Sequence, residues 1–385
     1  MRPRLPDARD AYRRSGVDVG AGDRAVELMR DAVASTRRSD APDVAGGLGG
    51  FGGAFTIPPG YREPVLIGST DGVGTKSAIA VALRRFDTIG FDLVAMCADD
   101  VVCAGAQPVA FLDYIAVGRL DPLGVAELVG SVAAGCREAG CTLIGGETAE
   151  HPGLMPEDAF DLAGSCIGVV ERDALIDGST VEARDAIIGL RSSGLHANGF
   201  SLVRSLITEW DLDLGRPYQE QLRRSLGDKE RDAIVQAEPE HALATLGEVL
   251  LTPTRIYARG VLAAREQLRS QGHDLRGLAH ITGGGLPGNV PRALPGGLGA
   301  RIDPSRWSMP SVMGLLGALG GLEDDEVRAT FNGGIGMTAV VAPEAVPIAM
   351  DAFAALGFEP ILIGEVVPAD ELGGLHAEGP LERFP

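Results

Sequence analysis

Long uncharged apolar runs are missing from this chain of 385 residues, and none reaches the roughly 20 residues that a membrane-spanning helix needs. Positive charge is also scarce: 34 Lys and Arg stand against 53 Asp and Glu, a net charge of −19. A nucleic-acid partner favours a basic face, so neither nucleic acid nor membrane is expected as a partner. The five cysteines (Cys97, Cys103, Cys136, Cys141, Cys166) form no CxxC pair and sit in apolar segments. That is the pattern of reduced, buried thiols rather than of a disulfide framework. Residues 1–14 are Arg-rich but lack the apolar core of a secretory signal, which points to a cytoplasmic chain. No Walker spacing GxxxxGK[ST] occurs and no GxGxxG opens a helix inside a βαβ unit, so ordinary P-loop and dinucleotide-binding readings are weak.

What is present suits a globular enzyme. Hydrophobic residues make up 45% of the chain, and its length suits two domains, each with its own core. Strand-like runs fall at 65–70, 109–117, 142–145 and 164–170, with helical spacing at 23–35, 75–84, 91–104 and 122–139. The polar turn at Asp177-Gly178 divides the chain into residues 1–177, whose first 45 are a tail and short helix, and residues 178–385. The second part reads as strands at 186–190, 277–281, 337–341 and 360–366, with helices at 199–210 and 254–267. Mixed strands and helices argue an α+β or α/β fold. Residues 211–248 form a charged insertion in which 219–237 has the spacing of an exposed amphipathic helix; a surface element is expected, with partner binding as the alternative.

The most informative stretch is Asp71-Gly72-Val73-Gly74-Thr75-Lys76, where an apolar strand hands over to a helix. A helix N-terminus offers unpaired N–H groups to phosphate, and a carboxylate suits a hard cation riding on that phosphate. The plain alternative is a Gly-rich turn capped by Asp71, and Lys76 pairs either with a phosphate or with a carboxylate. Upstream, residues 46–53 hold six glycines in eight positions, which lets the backbone approach a ligand closely. Downstream, Gly145-Gly146-Glu147 repeats the device of strand, glycines and carboxylate. On a helix beginning at Phe91, the apolar stripe is Phe91, Val94, Ala95, Ala98 and Val102, with Asp99 at its edge and Asp100 nearly opposite. Periodicity alone makes Asp100 a solvated residue.

The ordered set resembles the aminoimidazole ribonucleotide synthetase family. It comprises Gly46-Gly47-Leu48-Gly49-Gly50-Phe51-Gly52, the Asp71 motif, Asp87-Thr88-Ile89-Gly90 and Gly145-Gly146-Glu147-Thr148-Ala149-Glu150. It continues through Ser192-Ser193-Gly194-Leu195-His196-Ala197-Asn198-Gly199, Pro253-Thr254-Arg255-Ile256-Tyr257, His280-Ile281-Thr282-Gly283-Gly284-Gly285 and Phe331-Asn332-Gly333-Gly334. The resemblance implies the two-domain fold of that superfamily, a homodimer joined through the sheet of the first domain, and ATP and Mg²⁺ as cofactors. It implies closure of formylglycinamidine ribonucleotide to aminoimidazole ribonucleotide in purine synthesis. Carried over by motif, His196, Asp71 and His280 become the catalytic candidates. Gly47, Gly49, Gly50, Phe51, Gly52, Thr75, Lys76, Asp87 and Thr88 become ATP-binding candidates. Asp71, Asp99, Asp100 and Glu147 are implied for Mg²⁺, and Ser192, Ser193, Gly194, His196, Asn198, Thr254 and Arg255 for substrate. Three departures stand out: Asp99-Asp100 where the family carries Asn-Asp, Arg30 at a position that can hold Lys, and Gly333 in place of a Cys. Two other readings are kept open: another superfamily enzyme, such as a thiamin-phosphate kinase, and a non-catalytic nucleotide-binding homologue.

Overall fold

The computed structural model describes residues 16–38 and 52–384. The first domain contains α1 (Val19–Ala34), β1 (Pro64–Gly72), α2 (Ser77–Leu83), α3 (Ile89–Cys103), β2 (Gln107–Val117), α4 (Pro122–Ala139), β3 (Thr142–Glu150) and β4 (Phe160–Glu171). Its four strands lie in the order β1-β4-β2-β3, with β2 and β3 parallel and the other pairs antiparallel. Helix α4 starts where the Asp121 side chain accepts from the Leu123 N–H and Pro122 fills the first turn, and it stops at Gly140 in the left-handed region. Helix α3 is buried almost all round, because the sheet lies on one side and α4 and the second domain on the others. Its two inward carboxylates, Asp92 and Asp99, are fully buried, which the single apolar stripe did not foretell.

The second domain contains β5 (Ala186–Arg191), α5 (Phe200–Glu209), α6 (Tyr218–Leu226), α7 (Asp228–Ala237), α8 (Leu246–Leu250), α9 (Ala258–Ser270), β6 (Gly277–His280), α10 (Gly285–Asn289) and β7 (Leu298–Ile302). It continues with α11 (Ser311–Gly320), α12 (Asp324–Thr330), β8 (Ile335–Val341), α13 (Val346–Ala355), β9 (Pro360–Pro368), α14 (Ala369–Leu372) and β10 (His376–Glu378). Its six strands run β10-β7-β9-β5-β8-β6. Helix α9 packs on both α13 and α3, and one apolar cluster runs unbroken from the first domain into the second. The fold is therefore a mixed α+β arrangement of two sheets with helices.

The insertion departs from expectation. Instead of one exposed helix over 219–237, Gly227 at φ +99° breaks the stretch into α6 and α7. Tyr218, Gln221 and Leu222 are buried, and the Tyr218 hydroxyl lies 2.7 Å from Ser311 Oγ on α11. Apolar contact with the rest of the domain, invisible in local periodicity, holds this segment down.

Candidate active site

Three groups of expected residues gather along the seam between the domains. The first is a buried tie. Lys76, just before α2, points its Nζ at Asp92 Oδ1 (2.7 Å), the His196 carbonyl (3.0 Å) and the Thr252 carbonyl (2.8 Å). All three ammonium donors are used, so Lys76 holds a carboxylate and not an ATP phosphate. Asp92 Oδ1 also accepts from the Thr254 N–H (2.9 Å) and hydroxyl (2.5 Å), so Thr254 belongs to the tie rather than to a substrate wall. Burial pushes the Lys76 ammonium down and the Asp92 carboxyl up, and each partner opposes the other's shift. Two turns along α3, Asp99 Oδ1 accepts from the Tyr257 N–H (2.9 Å) at the start of α9, while burial raises its carboxyl to about 7. Asp99 is thus a helix cap facing the second domain, not one of a set of metal ligands.

The second group is an open cluster of acid and imidazole. Asp100 Oδ1 lies 3.0 Å from His280 Nδ1 at the end of β6, and Asp100 Oδ2 lies 3.5 Å from the Ser69 hydroxyl. Asp71, at the end of β1, accepts from the Gly72 N–H (2.7 Å). Burial raises its carboxyl, that backbone bond opposes the rise, Asp100 adds to it and His280 opposes it. For His280, burial disfavours the cation, but the bond to Asp100 and the charges of Asp99, Asp100 and Asp71 outweigh it and raise the imidazole above its ordinary value. His280 Nε2 is buried and without a partner. A cavity of about 360 Å³ beside this cluster is lined by Ser69, Asp100, His280, Asn289 and Arg292.

Glu147 does not join them. The register Asp71↔Gly164, Gly164↔Asp113, Asp113↔Gly146 puts those residues on one face of the first sheet, toward α3. Glu147, next to Gly146, therefore projects from the opposite, open face, three strand spacings (about 14 Å) from Asp71. Among the described residues, no three His, Cys, Asp or Glu converge as a metal centre. The expected four-carboxylate set is thus not assembled within one chain. Asp71 and Asp100 do fit Mg²⁺, which is ordinarily held by one or two carboxylates together with substrate phosphates.

The third group is the loop after β5. His196, at φ +63°, accepts from the Ser193 N–H through Nε2 (3.2 Å). Ser193 Oγ donates to the Pro253 carbonyl (2.6 Å) and accepts from the Arg255 N–H (3.1 Å), and Asn332 Nδ2 donates to the Gly194 carbonyl (2.8 Å). Burial holds the His196 imidazole well below its ordinary value, so it is neutral, with Nδ1 buried and unpartnered. A cavity of about 710 Å³ is lined by Ser192, Ser193, Gly194 and Arg255 on one side and by Glu238 and His241 of the insertion on another. His196 and Asn198 lie outside that lining; Asn198 Nδ2 contacts Met96 Sδ at 3.6 Å.

The ATP-binding candidates are scattered. Gly47, Gly49, Gly50 and Phe51 lie outside the described residues. Gly52 precedes Gly53, which packs against the Ile144 carbonyl on β3 so closely that no side chain fits there. Thr75 Oγ1 meets Ser201 Oγ (3.4 Å), Asp87 is exposed beside Arg85 (3.6 Å), and Thr88 Oγ1 is buried without a partner at the start of α3. One polar residue was passed over altogether. Asp113, inside the apolar run Phe111-Leu112-Asp113-Tyr114, has Oδ2 buried and unpartnered. A carboxylate interrupting an apolar strand is the signal that identifies it.

Two family models match this chain in succession. The family model "AIR synthase related protein, N-terminal domain" matches residues 60–170, and "AIR synthase related protein, C-terminal domain" matches 182–376. The phosphoribosylformylglycinamidine cyclo-ligase of Gloeobacter violaceus is 50% identical over 359 residues, covering 93% of this chain and 98% of that protein. That of Thermosynechococcus vestitus is 48% identical over 367 residues, covering 95% and 99%. Among solved structures, thiamine-monophosphate kinase from Stenotrophomonas maltophilia shares the fold at 15% identity (TM-score 0.58; 91% of this chain, 95% of that one). The hydrogenase maturation protein HypE in complex with ATP shares it at 18% identity (TM-score 0.57; 99% and 97%). The chain belongs to the aminoimidazole ribonucleotide synthase family, among the phosphoribosylformylglycinamidine cyclo-ligases.

Proposed function

We propose that this chain uses ATP to close formylglycinamidine ribonucleotide to aminoimidazole ribonucleotide, releasing ADP and phosphate in the cytoplasm. The observation that carries the reading is the seam where Asp71 and Asp100 of the first domain meet His280 of the second, beside a loop-lined cavity. The likeness to cyclo-ligases, 50% identity over 93% of this chain, favours this reaction over a kinase whose structure is only 15% identical.

In the reaction, the γ-phosphoryl group passes to the formyl oxygen, the amidine nitrogen attacks that carbon, phosphate leaves with the oxygen, and a proton is lost as the ring aromatises. Such chemistry asks the protein for positioning and charge neutralisation more than for covalent steps. Mg²⁺, when bound, screens the triphosphate charge. Asp71 and Asp100 supply the carboxylate oxygens that hold it. His280, oriented through Nδ1 by Asp100, presents Nε2 to a reacting oxygen. Ser192, Ser193, Gly194 and Arg255 hold the ribonucleotide, and neutral His196 fixes the Ser193 backbone behind them.

A homodimer through the open face of the first sheet completes the proposal. That face exposes Leu66 (52%) and Tyr114 (43%), and it carries Glu147, which would then face the second copy. Sedimentation of Leu66→Glu against wild type checks it: dimer lost in the variant supports the face, dimer retained rejects it. The activity itself is tested by incubating the protein with ATP, Mg²⁺ and formylglycinamidine ribonucleotide and measuring ADP and aminoimidazole ribonucleotide together. ADP without ring product would reject it.

A further inference from the structure

We infer that the charged insertion after α5 forms part of the ribonucleotide site, and that His241 is the residue it contributes to hold the phosphate of the sugar. The inference rests on formylglycinamidine ribonucleotide being the substrate, as proposed above, and names what binds its charged end. The cavity of about 710 Å³ has two walls of different origin. One is the loop after β5 together with Arg255. The other is built by the insertion from Ile234, Ala237, Glu238, Glu240 and His241. The insertion therefore turns an imidazole and two carboxylates toward a space that lies within the range of small-ligand sites.

His241 is firmly held. Its Nδ1 lies 3.1 Å from Glu238 Oε2, and its ring meets the Tyr218 ring edge to face, centroids 5.9 Å apart. Glu238 is fixed in turn by Ser311 at the start of α11. The Ser311 N–H donates to Oε1 (2.7 Å) and its hydroxyl donates to Oε2, while the Tyr218 hydroxyl lies 2.7 Å from Ser311 Oγ. These four side chains close a ring that aims the imidazole, because a carboxylate on one ring nitrogen sets the tautomer and direction of the other. Nε2 makes no hydrogen bond among the described residues. The bond to Glu238 raises the imidazole above its ordinary value, burial opposes the rise, and the charges of Glu238 and Glu240 add to it, which favours the cation. Arg255 supplies a second charge. Apart from a 3.5 Å contact of Nη1 with the Arg191 carbonyl, its guanidinium has no hydrogen-bond partner among the described residues. Of the acids in the lining, Glu238 is occupied by Ser311 and His241, Glu359 lies 3.4 Å from Arg191, and Glu240 is exposed. Ser192 Oγ, in the same lining, is buried without a partner, an unmet hydroxyl that a bound oxyanion would satisfy. An imidazolium, a guanidinium and a hydroxyl around one cavity suit a phosphate monoester, whose terminal oxygens accept charge-assisted bonds.

The test uses steady-state kinetics with formylglycinamidine ribonucleotide, with the matching riboside that lacks the phosphate, and with ribose 5-phosphate as inhibitor. His241→Gln removes the charge but keeps a donor for Glu238, and His241→Ala removes the ring. Expected is a KM for the ribonucleotide raised roughly ten- to hundredfold in both, with inhibition by ribose 5-phosphate weakened by the same factor. The kcat, the KM for ATP and the melting temperature should stay close to wild type, and kcat/KM for the riboside should not change. An unchanged KM in folded His241→Gln would overturn the inference and leave the proposed reaction standing. Equal losses for ribonucleotide and riboside would show that His241 shapes the cavity without touching the phosphate, and would also overturn it. Wild type that forms no aminoimidazole ribonucleotide would overturn reaction and inference together. Nitrogen NMR of the wild-type histidines needs no variant to fold: ribose 5-phosphate should shift the imidazole in contact with the Tyr218 ring, and no shift there would overturn the inference.

Discussion

Lys76 and Asp92 form a fully buried ion pair, Nζ to Oδ1 2.7 Å, and through it the first domain grips the second. The ammonium reaches the carbonyls of His196 and Thr252, and the carboxylate takes the N–H and hydroxyl of Thr254. The two segments so fixed, the loop after β5 and the stretch between α8 and α9, line the larger cavity. The tie thus sets the geometry of the seam at which the site is proposed.

Removing one partner leaves the other charged, buried and alone. Lys76→Met or Asp92→Leu should therefore destabilise the protein by about 3–5 kcal/mol, whereas the double variant should lose less than the sum. Urea denaturation measures it. Single variants within about 0.5 kcal/mol of wild type would show that the pair contributes little.

Asp71 and Asp100 are expected to act on the nucleotide's metal, and Asp99 is not. Asp71→Asn and Asp100→Asn should each lower kcat/KM on the order of a hundredfold with little change in melting temperature. Asp99→Ala should instead lose stability, because the start of α9 loses its acceptor. Rates near wild type in Asp71→Asn at low Mg²⁺ concentration would remove it from the metal site.

His196 tests whether a buried histidine acts directly or through its neighbour. Since Nε2 is spent on the Ser193 N–H, His196→Ala should loosen the loop, raising KM for the ribonucleotide and costing about 1–3 kcal/mol of stability. ATP affinity should hold. Steady-state kinetics with melting curves distinguish the two roles. If turnover instead falls by about a hundredfold or more while KM and stability stay unchanged, His196 is an acid or base.

Asp113 also predicts a pH effect on stability. Its carboxyl is raised from 3.8 to about 7 in the folded chain, so the folded state holds a proton that the unfolded state releases between those values. Stability therefore falls as pH rises through that window. Denaturation at several pH values should show this decline in wild type and a shallower one in Asp113→Asn. Parallel curves would show that Asp113 does not titrate there.

Much of this was legible in sequence where the signal is local. The Asp71 motif does close a strand, and α4 begins at its Asp121 cap and ends at Gly140. What sequence could not give was the third dimension. Lys76 looked available because nothing local shows that Asp92 and the second domain would enclose it. Asp99 and Asp100 are neighbours on one helix, yet a rotation of about 100° per residue sends one to cap α9 and the other to His280. Glu147 seemed equivalent to Asp71, but strand parity and sheet order put it on the other face at the far edge.

The most direct measurement follows an oxygen atom. Formylglycinamidine ribonucleotide carrying a heavy oxygen isotope in its formyl group is turned over with ATP and Mg²⁺, and the products are analysed by mass spectrometry. If phosphoryl transfer to that oxygen drives ring closure, each aminoimidazole ribonucleotide formed is matched by one ADP and one phosphate bearing the label. Phosphate free of label, or ADP formed without ring product, would contradict the account.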